Sequence, residues 1–183
     1  MQARLCSRNE SKLRELRAAL PGWELELLGV AGYPPEDGAS YYENARGKAE
    51  YGRSIEPGGW VLADDSGIEV AALGGAPGVA TARWADDGVA KLLAELVGVA
   101  DRRARYACEL VALSPDGREL SVTGILDGTL AHECRGAEGF GYDPIFVPAD
   151  EIRTVAELGD GWKARHSHRA RAATALRRAI DAA

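Results

Sequence analysis

The sequence contains little of what marks secreted or membrane-spanning proteins. Its 183 residues include only three cysteines, Cys6, Cys108 and Cys134, which are widely spaced and odd in number. This pattern predicts reduced thiols rather than a disulfide framework or a zinc site. No run approaches the roughly 20 apolar residues that span a bilayer, and the N-terminus lacks the long apolar core of a signal peptide. We therefore predict a cytoplasmic chain with no membrane partner.

The chain also has few histidines and carries no net positive charge. The three histidines, His132, His166 and His168, lack the spacing of zinc ligands. The formal net charge of −6 argues against binding to a nucleic acid polymer, which needs an extended basic surface. Basic residues nevertheless cluster in residues 4–17 and 161–178. Two short basic segments in an acidic chain favour a compact polyanion as ligand.

Several common sequence signatures are missing. We find no internal repeat, no low-complexity tract, no Walker or dinucleotide fingerprint, and no persuasive Ser-His-Asp or Cys-His arrangement. A length of 183 residues with 46% hydrophobic and 27% charged residues is ordinary for one globular domain. We predict a single domain over residues 1–183.

Hydrophobic periodicity predicts alternating strands and helices, and hence an α/β fold. The first predicted strand is followed by a helix with Asn9 as its N-cap. We expect the start of this helix to present free backbone N–H groups that can bind an anion. The predicted strands are Gln2 to Cys6, Trp23 to Val30, Trp60 to Ala63, and a hairpin of Ala104 to Leu113 with Leu120 to Ile125, treated as scaffold. The predicted helices carry Leu13, Leu16 and Leu20; Glu43 to Ser54; Val89 to Leu96; and a last helix capped by Ser167.

The most informative motif is the apolar run Val61 to Ala63, which leads into Asp64, Asp65 and a Ser-Gly pair. In open α/β sheets ligands bind beyond the carboxyl ends of strands, so we expect chemistry at this position. Adjacent residues of an extended chain point to opposite faces, which predicts different roles for the two carboxylates. A solvated loop start is the alternative, because Asp, Ser and Gly all favour turns.

Polar residues at four loops or helix starts indicate a phosphate and a metal ion. Lysine and arginine neutralise phosphate oxygens, whereas clustered carboxylates hold a hard cation such as Mg²⁺. A metal-bound water beside Asp65 would be a good nucleophile for phosphoryl transfer. The four groups are Ser7 to Lys12; Glu36 with Asn44 and Lys48; Asp64 to Ser66; and Lys163 with His168 and Arg169.

These blocks resemble, nearly end to end and in the same order, the inosine triphosphate pyrophosphatase family, the Ham1-like enzymes that act on non-canonical purine nucleotides. The resemblance implies a Ham1/Maf-like α/β architecture, with a mixed central sheet flanked by helices. It also implies hydrolysis of ITP, dITP and XTP to the monophosphate and pyrophosphate, a Mg²⁺ requirement and a homodimer. The matching segments are Ser7 to Lys12, Glu43 to Ala49, Ala63 to Gly67, Leu73 to Arg83, Gly139 to Phe146, and Lys163 with Ser167 to Arg169.

The resemblance also implies roles for individual residues. Asp65 matches the catalytic base that also binds the metal, and Glu36, twelve residues before Lys48, matches a metal-binding glutamate. An aromatic ring at Phe140 can stack on a purine. The residues implied in substrate binding are Ser7, Arg8, Asn9, Glu10, Ser11, Lys12, Lys48, Ser66, Phe140, Gly141, Tyr142, Asp143, Lys163, His168 and Arg169.

Two other functions remain open from the sequence. One is a Maf-like pyrophosphatase that acts on modified pyrimidine nucleotides. Phe140 and the pair His168 and Arg169 favour a purine substrate over this alternative. The other is a nucleotide-binding regulatory module without turnover. Such a module needs phosphate ligands but no acid pair, so Glu36 and Asp65 speak against it.

Overall fold

The computed structural model describes residues 1–182. In this part of the chain a mixed sheet has the strand order β2-β1-β3-β4-β5-β6. β1 pairs in parallel with both β2 and β3, whereas β5 and β6 are antiparallel. The predicted α/β fold with a mixed central sheet is therefore confirmed. The strands are β1 (Gln2–Leu5), β2 (Glu24–Leu27), β3 (Trp60–Val70), β4 (Arg103–Leu113), β5 (Glu119–Leu130) and β6 (Phe146–Pro148).

The helices begin where the capping residues place them. The Asn9 side chain accepts hydrogen bonds from the backbone N–H groups of Ser11 and Lys12, which confirms it as an N-cap. Ser40 caps the next helix in the same way through the N–H of Glu43. The helices are α1 (Glu10–Ala19), α2 (Tyr41–Ile55), α3 (Gly88–Glu95), α4 (Val155–Leu158), α5 (Asp160–His166) and α6 (His168–Asp181), with 3-10 turns at Ala71–Leu73 and Gly78–Arg83.

Strand β3 differs from the sequence prediction. It was expected to end at Ala63, but it continues to Val70, so Asp64 and Asp65 lie inside a strand. The turn preference of Asp, Ser and Gly is overridden because both carboxylates have partners and the following Ile68 and Val70 are fully buried. The opposite orientation of the two side chains, expected for a strand, is confirmed by their contacts described below.

Residues 1–65, 108–124 and the segment from His168 onward form one compact unit. On one side of its strands Leu5, Leu62 and Cys108 pack with the apolar faces of α1 and α6. On the other side α2 packs against Cys6 and Val61. Gly52 permits this approach, because a Cβ there would lie 2.2 Å from the Sγ atom of Cys6.

Residues 66–107 and 125–167 form a second compact unit. Its core joins Ile68 and Val70 with α3, with Tyr106 of β4 and with Phe146 of β6. The single domain over residues 1–183 stays a prediction. Among the described residues, no helix is both long enough and apolar enough to cross a membrane.

Candidate active site

Asp64 lies on the face of β3 that meets α1 and α6. Its Oδ2 atom is 3.1 Å from Lys12 Nζ and accepts a hydrogen bond from Arg169 Nε at 3.0 Å. Arg169 also donates from its Nη1 atom to Glu15 at 2.7 Å. Burial alone would raise the pKa of Asp64, but Lys12, Arg169 and Lys48 hold that pKa well below its usual range. Asp64 is therefore an ionised anchor for two cationic side chains.

Asp65 points the other way, toward α2. Its Oδ2 atom accepts a hydrogen bond from Asn44 Nδ2 at 2.9 Å. The orientation of the Asn44 amide is set by Gly38, whose backbone N–H donates to Asn44 Oδ1 at 2.9 Å. Burial raises the pKa of Asp65 above its usual value, with Lys48 and Asn44 opposing this rise. Asp65 is thus a more basic carboxylate than Asp64, with Oδ1 as the oxygen that Asn44 does not hold.

Lys48 connects the two aspartates to Glu36. It is one helical turn after Asn44, so both side chains leave the same face of α2. Its Nζ atom donates to Glu36 and to the backbone oxygen of Asp64 at 2.7 Å, and it lies 4.0 Å from Asp65 Oδ1. Burial lowers the pKa of Lys48, but Asp64, Glu36 and Asp65 raise it above its ordinary value. An ammonium group therefore occupies the space shared by two carboxylates.

This arrangement fits a divalent cation at Glu36 and Asp65. Both residues offer hard oxygen ligands, and both already neutralise one positive charge, that of Lys48. No group of three or more metal-ligating side chains occurs in the described chain, so substrate oxygens and water would complete the coordination.

The loop before α1 presents the predicted phosphate-binding residues. Ser7 Oγ accepts the backbone N–H of Asn9 at 3.1 Å, which shapes the turn into the helix. Arg8 is exposed and donates to the backbone oxygen of Ala31 at 3.4 Å. Glu10 and Ser11 begin the helix, after the cap, and Lys12 reaches Asp64. Because the N–H groups of Ser11 and Lys12 donate to Asn9, the feature that favours an anion here is the positive end of the α1 dipole.

In the second unit the structure brings Phe140, Asp143 and Lys163 together. Asp143 Oδ2 accepts hydrogen bonds from Lys163 Nζ at 2.6 Å and from the backbone N–H of Phe140 at 2.8 Å. Lys163 Nζ also lies 4.3 Å from the centroid of the Phe140 ring, a cation–π contact. Gly139 must be glycine here, because its φ is +79° and a Cβ would lie 2.3 Å from Asp143 Oδ2.

The remaining predicted residues have varied surroundings. Ser66 is half-buried on β3, and His168 is buried at the start of α6, beside Arg169. Gly141 is exposed, with a φ of +60°. Tyr142 is buried in the apolar core, and its hydroxyl lies where a Cβ on Gly88 would be. The substrate contacts of these residues stay predictions.

Two contributors, Glu15 and Gly124, were not predicted from the sequence. Glu15 is a buried carboxylate of α1, but it lies two residues after Leu13 and outside the stripe of Leu13, Leu16 and Leu20, so helical periodicity gives no signal for it. A Cβ on Gly124 would lie 2.0 Å from the backbone oxygen of His168, so this glycine permits the close approach of α6. Gly124 has no signal in the sequence either.

Buried cations gathered on two carboxylates of a mixed sheet define an α/β enzyme that acts on an anionic substrate. The chain belongs to the Ham1 family, whose family model matches residues 3–179. It is 42% identical to the dITP/XTP pyrophosphatase of Bacillus licheniformis, over 98% of this chain and 97% of that protein.

Solved structures give the same result. A HAM1 protein from Coxiella burnetii superposes with a TM-score of 0.86 at 34% identity, and each chain is covered completely. The nucleoside-triphosphatase / dITP/XTP pyrophosphatase of Mycobacterium abscessus superposes with a TM-score of 0.73 at 41% identity. That alignment covers 96% of this chain and 97% of the other. The recognition made from sequence motifs is confirmed.

Proposed function

We propose that this chain hydrolyses ITP, dITP and XTP to the nucleoside monophosphate and pyrophosphate. The observation that carries the proposal is the pair of neighbouring aspartates, one ionised against Lys12 and Arg169 and the other held by Asn44 with a raised pKa. The names of the relatives supply the substrate class, because they are dITP/XTP pyrophosphatases.

Asp65 acts as the general base. Its Oδ2 atom is held by the Asn44 amide, so the proton of the attacking water goes to Oδ1. Because burial raises its pKa, the carboxylate takes up a proton more readily than an exposed aspartate does. Attack at the α phosphorus makes pyrophosphate the leaving group, and a nucleoside diphosphate would not be a product.

The triphosphate is bound by positive charge and by the N-terminal end of α1. Lys12 and Lys48 are the cations, held by the buried Asp64 and by the half-buried Glu36 respectively. The segment Ser7 to Ser11 leads into the positive end of the α1 dipole, which favours an anion.

Pyrophosphatases of the Ham1 family generally need a divalent metal ion. In this chain we propose Mg²⁺, held by Glu36 and Asp65 because their oxygens already share one cationic partner. When bound, the ion would neutralise phosphate charge and lower the pKa of a coordinated water.

The family resemblance assigns base recognition to Phe140, His168 and Arg169. Lys163 contacts the Phe140 ring, and an aromatic ring can also stack on a purine. His168 and Arg169 are the proposed donors to the 6-oxo group that inosine and xanthosine share. Adenine presents an amino group there, and an unpaired buried donor costs about 1 to 3 kcal/mol, so we expect at least about tenfold rejection of ATP.

The comparisons favour purines over the Maf-like alternative, because the relatives named above are dITP/XTP pyrophosphatases. A regulatory module without turnover is disfavoured by the same names and by the base-like environment of Asp65. A homodimer and a cytoplasmic location also remain proposals.

The test is release of pyrophosphate from a panel of ITP, dITP, XTP, GTP, ATP and a modified pyrimidine triphosphate. We expect rapid release from the first three with Mg²⁺ and none in excess EDTA. Nucleoside diphosphate and free phosphate as first products would mean that the wrong bond is assigned. Preference for the pyrimidine would favour the Maf-like alternative, and binding of ITP without turnover would favour the regulatory module.

A further inference from the structure

A buried hydroxyl from the predicted scaffold hairpin reaches the group that holds Phe140. Tyr106, on β4, donates a hydrogen bond from its hydroxyl to Asp143 Oδ1 at 3.2 Å. Both residues are at most 7% exposed. A tyrosine hydroxyl requires a partner when it is buried, and a carboxylate is a strong one.

The two oxygens of Asp143 have different partners. Oδ2 holds Lys163 and the backbone N–H of Phe140, as described above. Oδ1 accepts a hydrogen bond from the Tyr106 hydroxyl, and this bond opposes rotation of the carboxylate about the Cβ–Cγ bond of Asp143. A carboxylate held at both oxygens has one orientation, whereas one held at a single oxygen can swing.

The orientation of Asp143 matters because it sets two groups of the proposed base pocket. Lys163 Nζ lies 4.3 Å from the centroid of the Phe140 ring and donates a hydrogen bond to Asp143 Oδ2. The backbone N–H of Phe140 donates to the same oxygen. Movement of Asp143 would therefore shift both the ammonium group and the ring on which a purine would stack.

We infer that Tyr106 is a positioning residue of the nucleobase pocket, which acts through Asp143 on Phe140 and Lys163. The inference rests on the proposed function, since it names how that enzyme orders its base-binding ring. It concerns the hydroxyl alone. The ring of Tyr106 has a separate packing role, with its centroid 4.4 Å from that of Phe146.

This separation allows a clean variant. Tyr106→Phe keeps the aromatic ring that packs on Phe146 and removes the hydroxyl that donates to Asp143. A matched control is Tyr42→Phe, which removes a tyrosine hydroxyl that donates to the carboxylate of Glu119 at 2.7 Å on the exposed surface.

The experiment measures KM and kcat for ITP, and separately the inhibition constants of inosine monophosphate and inorganic pyrophosphate. In Tyr106→Phe we expect KM and the inhibition constant of inosine monophosphate to rise about threefold to tenfold, the range for one typical lost hydrogen bond, because the effect reaches the base only through Asp143. The kcat and the pyrophosphate constant should stay within about twofold, because uniform binding of the base is what is lost. Tyr42→Phe should match the wild type.

Three results would overturn the inference. Unchanged inosine monophosphate inhibition in Tyr106→Phe means that the hydroxyl does not order the pocket. Equal weakening of inosine monophosphate and pyrophosphate, together with a lower Tm, means a general structural role. If the wild type does not bind inosine monophosphate, the nucleobase pocket that Tyr106 is inferred to order does not exist. Failure of the proposed function is distinct, because it appears as a wild type that binds inosine monophosphate but does not turn over ITP.

Discussion

At the residue scale, Asp64 and Asp65 are chain neighbours whose carboxyl pKa values move in opposite directions. Both are buried, so burial penalises both charges. The difference lies in their partners, since Asp64 has two cations in contact whereas Asp65 has an amide and a more distant ammonium. The alternation of side chains along β3 therefore separates an electrostatic anchor, Asp64, from the proposed base, Asp65.

Replacing each aspartate by asparagine should separate these two roles. Asp65→Asn should lower kcat by about 10² to 10⁴, the usual contribution of general-base catalysis, with a small change in stability. Asp64→Asn leaves Lys12 and Arg169 without their shared counter-charge, and breaking a buried ion pair typically costs about 3 to 5 kcal/mol. Single-turnover kinetics and urea unfolding measure these effects. Wild-type turnover by Asp65→Asn would refute its assignment as the base.

The buried thiol of Cys6 predicts a loss of stability at alkaline pH. Burial raises the pKa of Cys6 from 9.0 to about 12 in the folded chain. Between these values the unfolded state releases the proton and the folded state keeps it, so the free energy of unfolding falls as pH rises. Urea unfolding of the wild type and of Cys6→Ala at pH 8 and pH 11 checks this. We expect a smaller alkaline loss in the variant, and equal losses would contradict the cause.

At the scale of secondary structure, glycine positions decide how closely helices approach the sheet. α6 delivers His168 and Arg169 from its first turn, and Gly124 on β5 leaves room for the backbone of that turn. α2 delivers Asn44 and Lys48 from one face, and Gly52 leaves room for its contact with Cys6. Glycines thus set the positions of the two helices that carry these predicted site residues.

Gly124→Ala should displace the start of α6. Overpacking typically costs about 1 to 3 kcal/mol, and kcat/KM for ITP should fall because Arg169 moves with the helix. The matched control is Gly47→Ala in α2, where a Cβ meets nothing within 4 Å, so stability should rise or stay the same. Thermal unfolding and initial rates test the pair. A Gly124→Ala variant as stable and active as the control would show that α6 tolerates the methyl group.

At the scale of the whole molecule, an acidic chain of net charge −6 concentrates buried cations on a few carboxylates. Such a distribution suits a small anion that enters a site rather than a long polyanion that lies on a surface. We therefore expect this distribution of charge to favour a nucleotide over a nucleic acid.

Ligand-linked stability measures that selection. Inosine monophosphate at about 100 times its Kd should stabilise the fold by about 2.7 kcal/mol, because it binds the native state alone. A duplex DNA at the same phosphate concentration should leave Tm unchanged. Thermal unfolding at low ionic strength is the measurement, and an equal shift with DNA would contradict the expected preference for small anions.

Much of the fold and of the candidate site followed from local sequence. The cap at Asn9, the pair Asn44 and Lys48 on one helix face and the opposed aspartates were predicted correctly, because each depends on residues at most four apart. Helix caps and side-chain periodicity are set by backbone geometry, which a sequence displays directly.

Tertiary structure alone decided the rest. β3 continues through Asp64 and Asp65 because cations from three helices satisfy the carboxylates, which overrides their turn preference. Arg169 meets Asp64 from 105 residues away, and Tyr106 meets Asp143 from 37 residues away. A buried charge or hydroxyl must find a partner, but which one it finds depends on how the elements pack. The sequence by itself determined the local elements and the residue types of the site, and packing determined which of those residues pair.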